Sequence, residues 1–453
     1  MKNLLFVFVL AASLPGDVTA QPESKRPHQP FRAFFWGNDP EHGTELWVTD
    51  GSSDGTRLAL DYASGRQGVR CGDIFQLSNG GLGFVAGTQE GIAVVHLDTS
   101  LKITREYFPS EQSLLIDVEP VAVGTSVFWV RRSNESGSHE LCVFRENETN
   151  ERQIPIPKHF TISTIKCLDG KLNIQGHYYA LNSPSIWRVY EIDPERSELQ
   201  LIASWHEWSR ELFCSVPNKV FYMGDGIWFS KKGHDNVPSL LKPRFVEDGR
   251  FNSRVATSEK VFFVGTHTEL NKAETAWIDR FGTEVYVSDG TTEGTHLVKD
   301  INNEFGASSD PTGLARVPNT NTVAFFTRNP ENIWVSDGRP DGTVVLSPID
   351  PKQKIAFPPN DPQRRFHRFG QHLLFQDSEG YIWKTNGMPD GTARGGRTTL
   401  IESVLSDVGP YALFVAPNLT GQGTGIWATD GSDEGTFYIK DATISIPKFT
   451  RSN

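Results

Sequence analysis

The chain has 453 residues, 37% hydrophobic and 22% charged, the balance of a folded globular protein and not of a disordered or fibrous one. Its 55 acidic residues outnumber 44 basic ones, for a net charge of -11, which excludes the broad cationic face that a phosphate backbone requires. No later window approaches the roughly 20 apolar residues of a membrane-spanning helix, so neither nucleic acid nor a membrane span is expected.

In chain order, residues 1–20 read as a secretory signal peptide. Lys2 supplies the positive start, Leu4 to Leu14 the apolar stretch, and Val18-Thr19-Ala20 the small residues for cleavage. Residues 21–31 form an N-terminal extension, 32–447 a repeat domain, and 448–453 a C-terminal tail. A secreted, extracellular location follows from the signal peptide. In that compartment Cys71, Cys142, Cys167 and Cys214 are disulfide candidates, with three possible connectivities. Cys167 and Cys214 each precede the aromatic slot of their own repeat and are read as a bridge between neighbouring repeats, which leaves Cys71 to pair with Cys142. The sequons at Asn134, Asn147 and Asn418 are glycosylation candidates if the host is a eukaryote.

The informative feature is a ten-residue block present five times. The copies begin at Trp47, Tyr286, Trp334, Trp383 and Trp427. Each runs aromatic, any residue, Ser or Thr, Asp or Asn, Gly, two free positions, Asp or Glu, Gly, Thr. The fixed residues are Asp50, Gly51 and Gly55; Asp289, Gly290 and Gly294; Asp337, Gly338 and Gly342; Asn386, Gly387 and Gly391; and Asp430, Gly431 and Gly435. Four degenerate units fall in the gap between the first and second copies, around Ala93, Cys142, Trp187 and Trp228. Nine units then recur at about 48 residues, with one step lengthened by an insertion from His267 to Arg280.

Each unit reads as four short strands. Between residues 311 and 349 these are Leu314 to Val317, Thr322 to Thr327, Asn332 to Ser336 and Thr343 to Leu346. Asp and Asn bond their own backbone and Gly takes positive φ, so the block is a hairpin with a structured loop. The expected fold is all-β: a β-propeller of about nine degenerate four-stranded repeats, giving eight or nine blades. The aromatic slot is expected to pack blade on blade, and Thr443 to Pro447 to supply a closing strand.

Glu45-Leu46-Trp47-Val48-Thr49-Asp50-Gly51, followed by Gly55-Thr56, resembles the ELWxxDGT repeat of secreted, mostly bacterial proteins, and Glu284 to Ile301 resembles it over a longer run. The resemblance implies secretion and a repeat fold. It brings no catalytic residues.

Other motifs are better explained by structure than by chemistry. Gly51-Ser52-Ser53-Asp54-Gly55 matches the hydrolase elbow pattern but lies inside the repeat turn. His206-Glu207 lacks the second histidine of a zinc motif, and His367 and His372 do not supply one. No cofactor is expected. Calcium on paired loop acids such as Asp50 with Asp54 is the open alternative to loop capping, although the spacing falls short of an EF-hand. Trp36, Trp129 and Trp205 adjoin strands and read as core, while Trp208, beside the polar His206 and Glu207 that suggest a turn, fits either core or loop. Trp277 falls in the long insertion, where binding residues concentrate. A second insertion, Asp350 to Gly370, carries Arg364, Arg365, His367 and Arg368, a basic cluster that reads first as a solvated loop and otherwise as a site for an anionic glycan or acidic partner.

These observations point to a secreted binding or interaction module that engages an extracellular glycan or protein through loops, with no catalytic residues assigned. A glycan-active enzyme with carboxylates converging from different blades, or a structural matrix or surface-coat protein, are the alternatives.

Overall fold

The computed structural model describes residues 32–441, apart from 67, 89–90, 110–117, 134–137, 169–170, 179–185, 194–197, 206–210, 217–218, 224–225, 232–238, 244, 248–253, 271–276, 347–365, 399–400, 402, 409 and 421–422. The signal peptide, the extension before residue 32, the tail, the Thr443 to Pro447 segment, Asn134, His206-Glu207, Trp208, Arg364 and Arg365 lie outside the described residues.

The described residues form nine antiparallel sheets and no α-helix; Pro389–Gly391 makes one short 3-10 turn. Sheet 1 has three strands, Ala33–Asp39, Gly43–Thr49 and Arg57–Leu60. Sheets 2 to 5 have four strands each and run from Arg70–Gln76 to Ile103–Tyr107, Val121–Val123 to Arg152–Ile154, Phe160–Leu168 to Leu199–Trp205, and Glu211–Val216 to Ser239–Pro243. Sheet 6, from Phe245–Glu247 to His296–Leu297, has five. Sheets 7, 8 and 9 have four each, ending at Thr343–Val345, Ala393–Arg397 and Phe437–Asp441. In sheet 7 the strands are Thr312–Arg316, Val323–Arg328, Glu331–Ser336 and Thr343–Val345, close to the bounds read from the sequence.

The aromatic slot organises each sheet from within. It faces an aromatic on the preceding strand in every full copy: Phe35 opposite Trp47, Phe263 opposite Tyr286, Phe325 opposite Trp334, Phe375 opposite Trp383 and Phe414 opposite Trp427. Three of these pairs stack nearly parallel, with centroids 6.0 to 6.4 Å apart. Cross-strand aromatic pairs of this kind are a principal source of sheet stability. The degenerate units retain the register with other residues: Tyr222 opposite Trp228, His177 opposite Trp187, Trp129 opposite Cys142 and Ala86 opposite Ala93. A bulge at the slot, where the last two strands pair, recurs in sheets 1, 5, 8 and 9. Such bulges increase local twist.

The chain divides into two compact units. One holds the described residues of 1–200, 399–430 and 434–453, and the other those of 201–398 and 431–433. In the first unit, one apolar cluster joins sheet 9 to sheet 1 through Tyr411, Leu413, Ala33 and Phe35. Others join sheet 1 to sheet 2 and sheet 2 to sheet 3. The Ile162 N–H on sheet 4 donates to His139 Nδ1 on sheet 3 at 3.0 Å. In the second unit, clusters join sheets 5 and 6, 6 and 7, and 7 and 8. Tyr286, Trp334 and Trp383 sit in these three cores, each packing its own sheet on the preceding one.

Trp36 and Trp129 are core residues, each 1% exposed. The expected bridge between Cys71 and Cys142 is not formed. Cys71 packs between sheets 1 and 2, Cys142 between sheets 2 and 3, and both are buried free thiols whose burial pushes their pKa up to about 12. Cys167 is exposed on Phe160–Leu168, and Cys214 lies on Glu211–Val216. Asn147 is exposed in a turn, and Asn418 lies at a turn where the Thr420 hydroxyl donates to its Oδ1 at 2.9 Å.

Candidate functional site

The block loops concentrate hydroxyls, carboxyls and glycines at fixed positions. The third and tenth positions place two hydroxyls together in all five copies: Thr49 with Thr56 at 2.6 Å, Ser288 with Thr295 at 2.7 Å, Ser336 with Thr343 at 2.8 Å, Thr385 with Thr392 at 2.7 Å and Thr429 with Thr436 at 2.7 Å. In the first four the direction is fixed by the other partners. The tenth-position hydroxyl gives its hydrogen to the sixth-position carbonyl, as Thr56 does to Ser52 at 2.6 Å and Thr392 to Met388 at 2.7 Å. It must therefore accept from the third-position hydroxyl, which in turn accepts the Gly N–H, as Thr49 does from Gly51 at 3.0 Å. The result is a relay from backbone N–H through two buried hydroxyls to a backbone carbonyl, with each group satisfied.

The block carboxylates are turned onto their own loop. Oδ1 of Asp50, Asp289 and Asp337 accepts the N–H two residues on at 2.8 to 2.9 Å, and Asn386 does the same at 2.9 Å. Burial opposes the Asp289 charge, but hydrogen bonds from the Thr291 hydroxyl and N–H outweigh it and hold the carboxyl below its ordinary range. The second Gly is required by this arrangement: a Cβ on Gly55 would lie 1.9 Å from Asp50 Oδ1, and one on Gly294 2.0 Å from Asp289 Oδ1. The first Gly takes φ between 83° and 93° in all five copies, where a side chain is strained. Among the described residues, no group of three His, Cys, Asp or Glu is placed to hold a metal ion.

The first letter of ELW has its own task. Glu45 and Glu284 are fully buried. Glu45 accepts the N–H groups of Tyr62 at 2.7 Å and Ala63 at 3.1 Å, and Glu284 the N–H of Ser309 at 2.8 Å and its hydroxyl. Each carboxyl thus ties down the connection to the next sheet. Burial pushes the Glu45 pKa up to about 7 and that of Glu284 to about 8, although the hydrogen bonds pull the other way.

At Glu284 the tied connection forms a surface. Val261–Leu270 and Trp277–Ser288 make the longest hairpin, and its register shifts where Thr266 faces Thr283 but Thr268 faces Asp279. The bulge leaves out Arg280 to Gly282, capped by Asp279 Oδ1, which accepts the N–H of Gly282 at 2.7 Å. Residues 299–310 fold back along this bulge. Gly306 N–H donates to the Arg280 carbonyl at 2.9 Å, Thr283 N–H to Ser308 Oγ at 2.9 Å, and the Lys299 ammonium to the Thr343 carbonyl at 3.0 Å. At the turn Phe305 is 75% exposed, the most exposed large apolar side chain among the described residues. Arg280 on the bulge is also exposed, with its guanidinium 5.3 Å from the centre of the Phe281 ring.

Of the residues singled out in the sequence, Trp277 does not lie in a loop: it opens a strand, facing Leu270, because pairing of the hairpin arms continues past the bulge. His367 and Arg368 are likewise in a strand, His367–Phe369, paired with Leu374 and Leu373, so the basic cluster is not one continuous loop. Phe305 carries no motif, and only its place between Asn-Asn-Glu and Gly-Ala-Ser-Ser marks a turn. Among paired acids, Glu140 and Glu151 share one guanidinium: Arg131 Nε donates to Glu140 at 2.7 Å and Nη1 to Glu151, which also accepts the Tyr107 hydroxyl at 2.7 Å.

A scan against protein-family models gives no match, and neither does a search of curated proteins. Among solved structures the chain is similar to a prolyl endopeptidase, at 11% identity over 72% of this chain and 48% of that one, with a TM-score of 0.38. It is also similar to an oligogalacturonate lyase in complex with manganese, at 11% identity over 76% of this chain and 93% of that one, with a TM-score of 0.35. The chain spans about half the length of the first. Likeness at this level transfers neither activity nor ligand.

Proposed function

We propose that the chain is a secreted β-propeller of the ELWxxDGT-repeat kind that works as a binding module for an extracellular glycan. The shared core of sheets 9 and 1 supports the propeller reading, because a linear stack of nine sheets would put the first and last far apart. Secretion rests on the sequence of residues 1–20.

The observation that carries the binding role is Phe305, presented at 75% exposure on a connection held down by Glu284. An exposed aromatic face stacks on the apolar face of a sugar, and the exposed Arg280, whose backbone carbonyl takes the Gly306 N–H, adds a donor-rich side chain on the neighbouring bulge. A pre-formed platform loses little entropy on binding. Oδ1 of Asp50, Asp289 and Asp337 accepts a loop N–H, which supports a capping role for the block acids. Among the described residues the most strongly perturbed carboxyls, Glu45 and Glu284, serve the backbone, which favours binding over glycan cleavage.

The test is a broad glycan array read for both bound protein and altered glycans. Binding without alteration supports the reading, altered glycans point to an enzyme, and silence in both channels redirects the search to protein partners.

A further inference from the structure

Four copies of the block carry Asp at the fourth position, and the remaining copy carries Asn386 followed by Gly387. In an Asn–Gly pair no Cβ on the second residue obstructs attack by its backbone nitrogen on the side-chain amide. We propose that Asn386 is a deamidation site whose aspartate product is the residue the loop is built for.

The side chain is used only as an acceptor. Asn386 Oδ1 takes the Met388 N–H at 2.9 Å, as Asp50, Asp289 and Asp337 take their own N–H groups at 2.8 to 2.9 Å. The side-chain nitrogen makes no hydrogen bond among the described residues, and Asn386 is exposed to water. Oxygen in place of that nitrogen therefore keeps every bond of the loop.

Gly387 N, released from its 3.0 Å bond to Thr385 Oγ1, attacks Cγ of Asn386. A C–N bond forms, and Nδ2 leaves as ammonia with the proton given up by Gly387 N. Water then opens the cyclic imide at either carbonyl. One opening gives aspartate with the normal backbone, and the other an iso-linked residue with one more main-chain carbon. The loop fits only the first, because the Thr385–Thr392 hydroxyl pair and the approach of Gly391 to Asn386 fix the length of chain between them.

A second Asn–Gly pair supplies an internal control. Asn79 Oδ1 accepts the Gly81 N–H at 2.8 Å, but the adjacent Ser78 binds the Glu146 carboxylate through both N–H and hydroxyl at 2.9 to 3.0 Å. That negative charge opposes loss of the Gly80 amide proton, so position 79 reacts later than position 386.

The experiment is peptide mapping of the folded protein held in mildly alkaline buffer, beside a urea-unfolded sample, with ion exchange and melting curves for Asn386→Asp. The expected result is conversion at 386 ahead of 79, an acidic form that co-elutes with the variant, and a variant melting no lower than wild type. Asn386 intact in the folded protein while the unfolded chain converts, position 79 reacting first, or a lower-melting variant would overturn the proposal.

Discussion

Thr385 and Thr392, seven positions apart, hold their hydroxyl oxygens 2.7 Å from each other, and Thr385 has no exposure to solvent. The same pair closes all five blocks, so the Ser/Thr and final Thr of the repeat are one hydrogen-bonded unit. Thr385→Val strands the Gly387 N–H and is expected to cost about 1–3 kcal/mol. Thr392→Val should cost a similar amount, and the double variant less than the sum, because one relay is lost only once. Urea unfolding of the four proteins measures this; strict additivity would contradict the relay.

The aromatic slot is predicted to dominate sheet packing. Trp383 is fully buried, stacks on Phe375 and donates from Nε1 to Asp377 at 2.7 Å. Trp383→Ala should therefore destabilise by about 3–5 kcal/mol, and Trp383→Phe by less. Chemical denaturation checks the order of the two.

The block acids act as acceptors, so Asp289→Asn and Asp337→Asn should each change stability by no more than about 1 kcal/mol, as Asn386 indicates in its own copy. Chelation of calcium should leave the melting temperature unchanged. A fall on chelation that Asp289→Asn abolishes would establish a metal role.

Stability should fall with rising pH through the range set by Glu45 and Glu284. Both are protonated more readily in the folded state, at about 7 and about 8, than at the ordinary 4.5 of an unfolded chain. Below 4.5 both states hold the proton. Between there and pH 7 to 8 the unfolded state releases it first, which lowers stability, and above that the effect levels off. Asp289 and Asp337 act in the opposite sense, since their lowered pKa values give stability that is lost as acid protonates them. Glu284→Gln should flatten the neutral part of a melting-temperature profile, and an unchanged slope would contradict this assignment.

The repeat made the strands legible, because a turn built from Asp, Gly and Thr states its chemistry locally. Sheet 7 follows its sequence pattern within a few residues, and even units without the block keep the register, as His177 opposite Trp187 shows. What depends on distant parts of the chain was not legible. Cys71 and Cys142 are paired in the sequence reading only as the two left over, and they face different cores. Trp277 follows a bulge that lets the hairpin continue. Glu284 finds Ser309 twenty-five residues away, so the course of the connection that carries Phe305 is set by a long-range contact.

The most direct measurement is glycan-array binding by the wild type and Phe305→Ala side by side, with melting curves for both. Phe305→Ala should keep the wild-type melting temperature, because the ring is exposed, and lose about two- to tenfold in affinity for the glycans that wild type binds, the scale of one stacked aromatic. Equal binding by the two proteins would contradict the assignment of this surface.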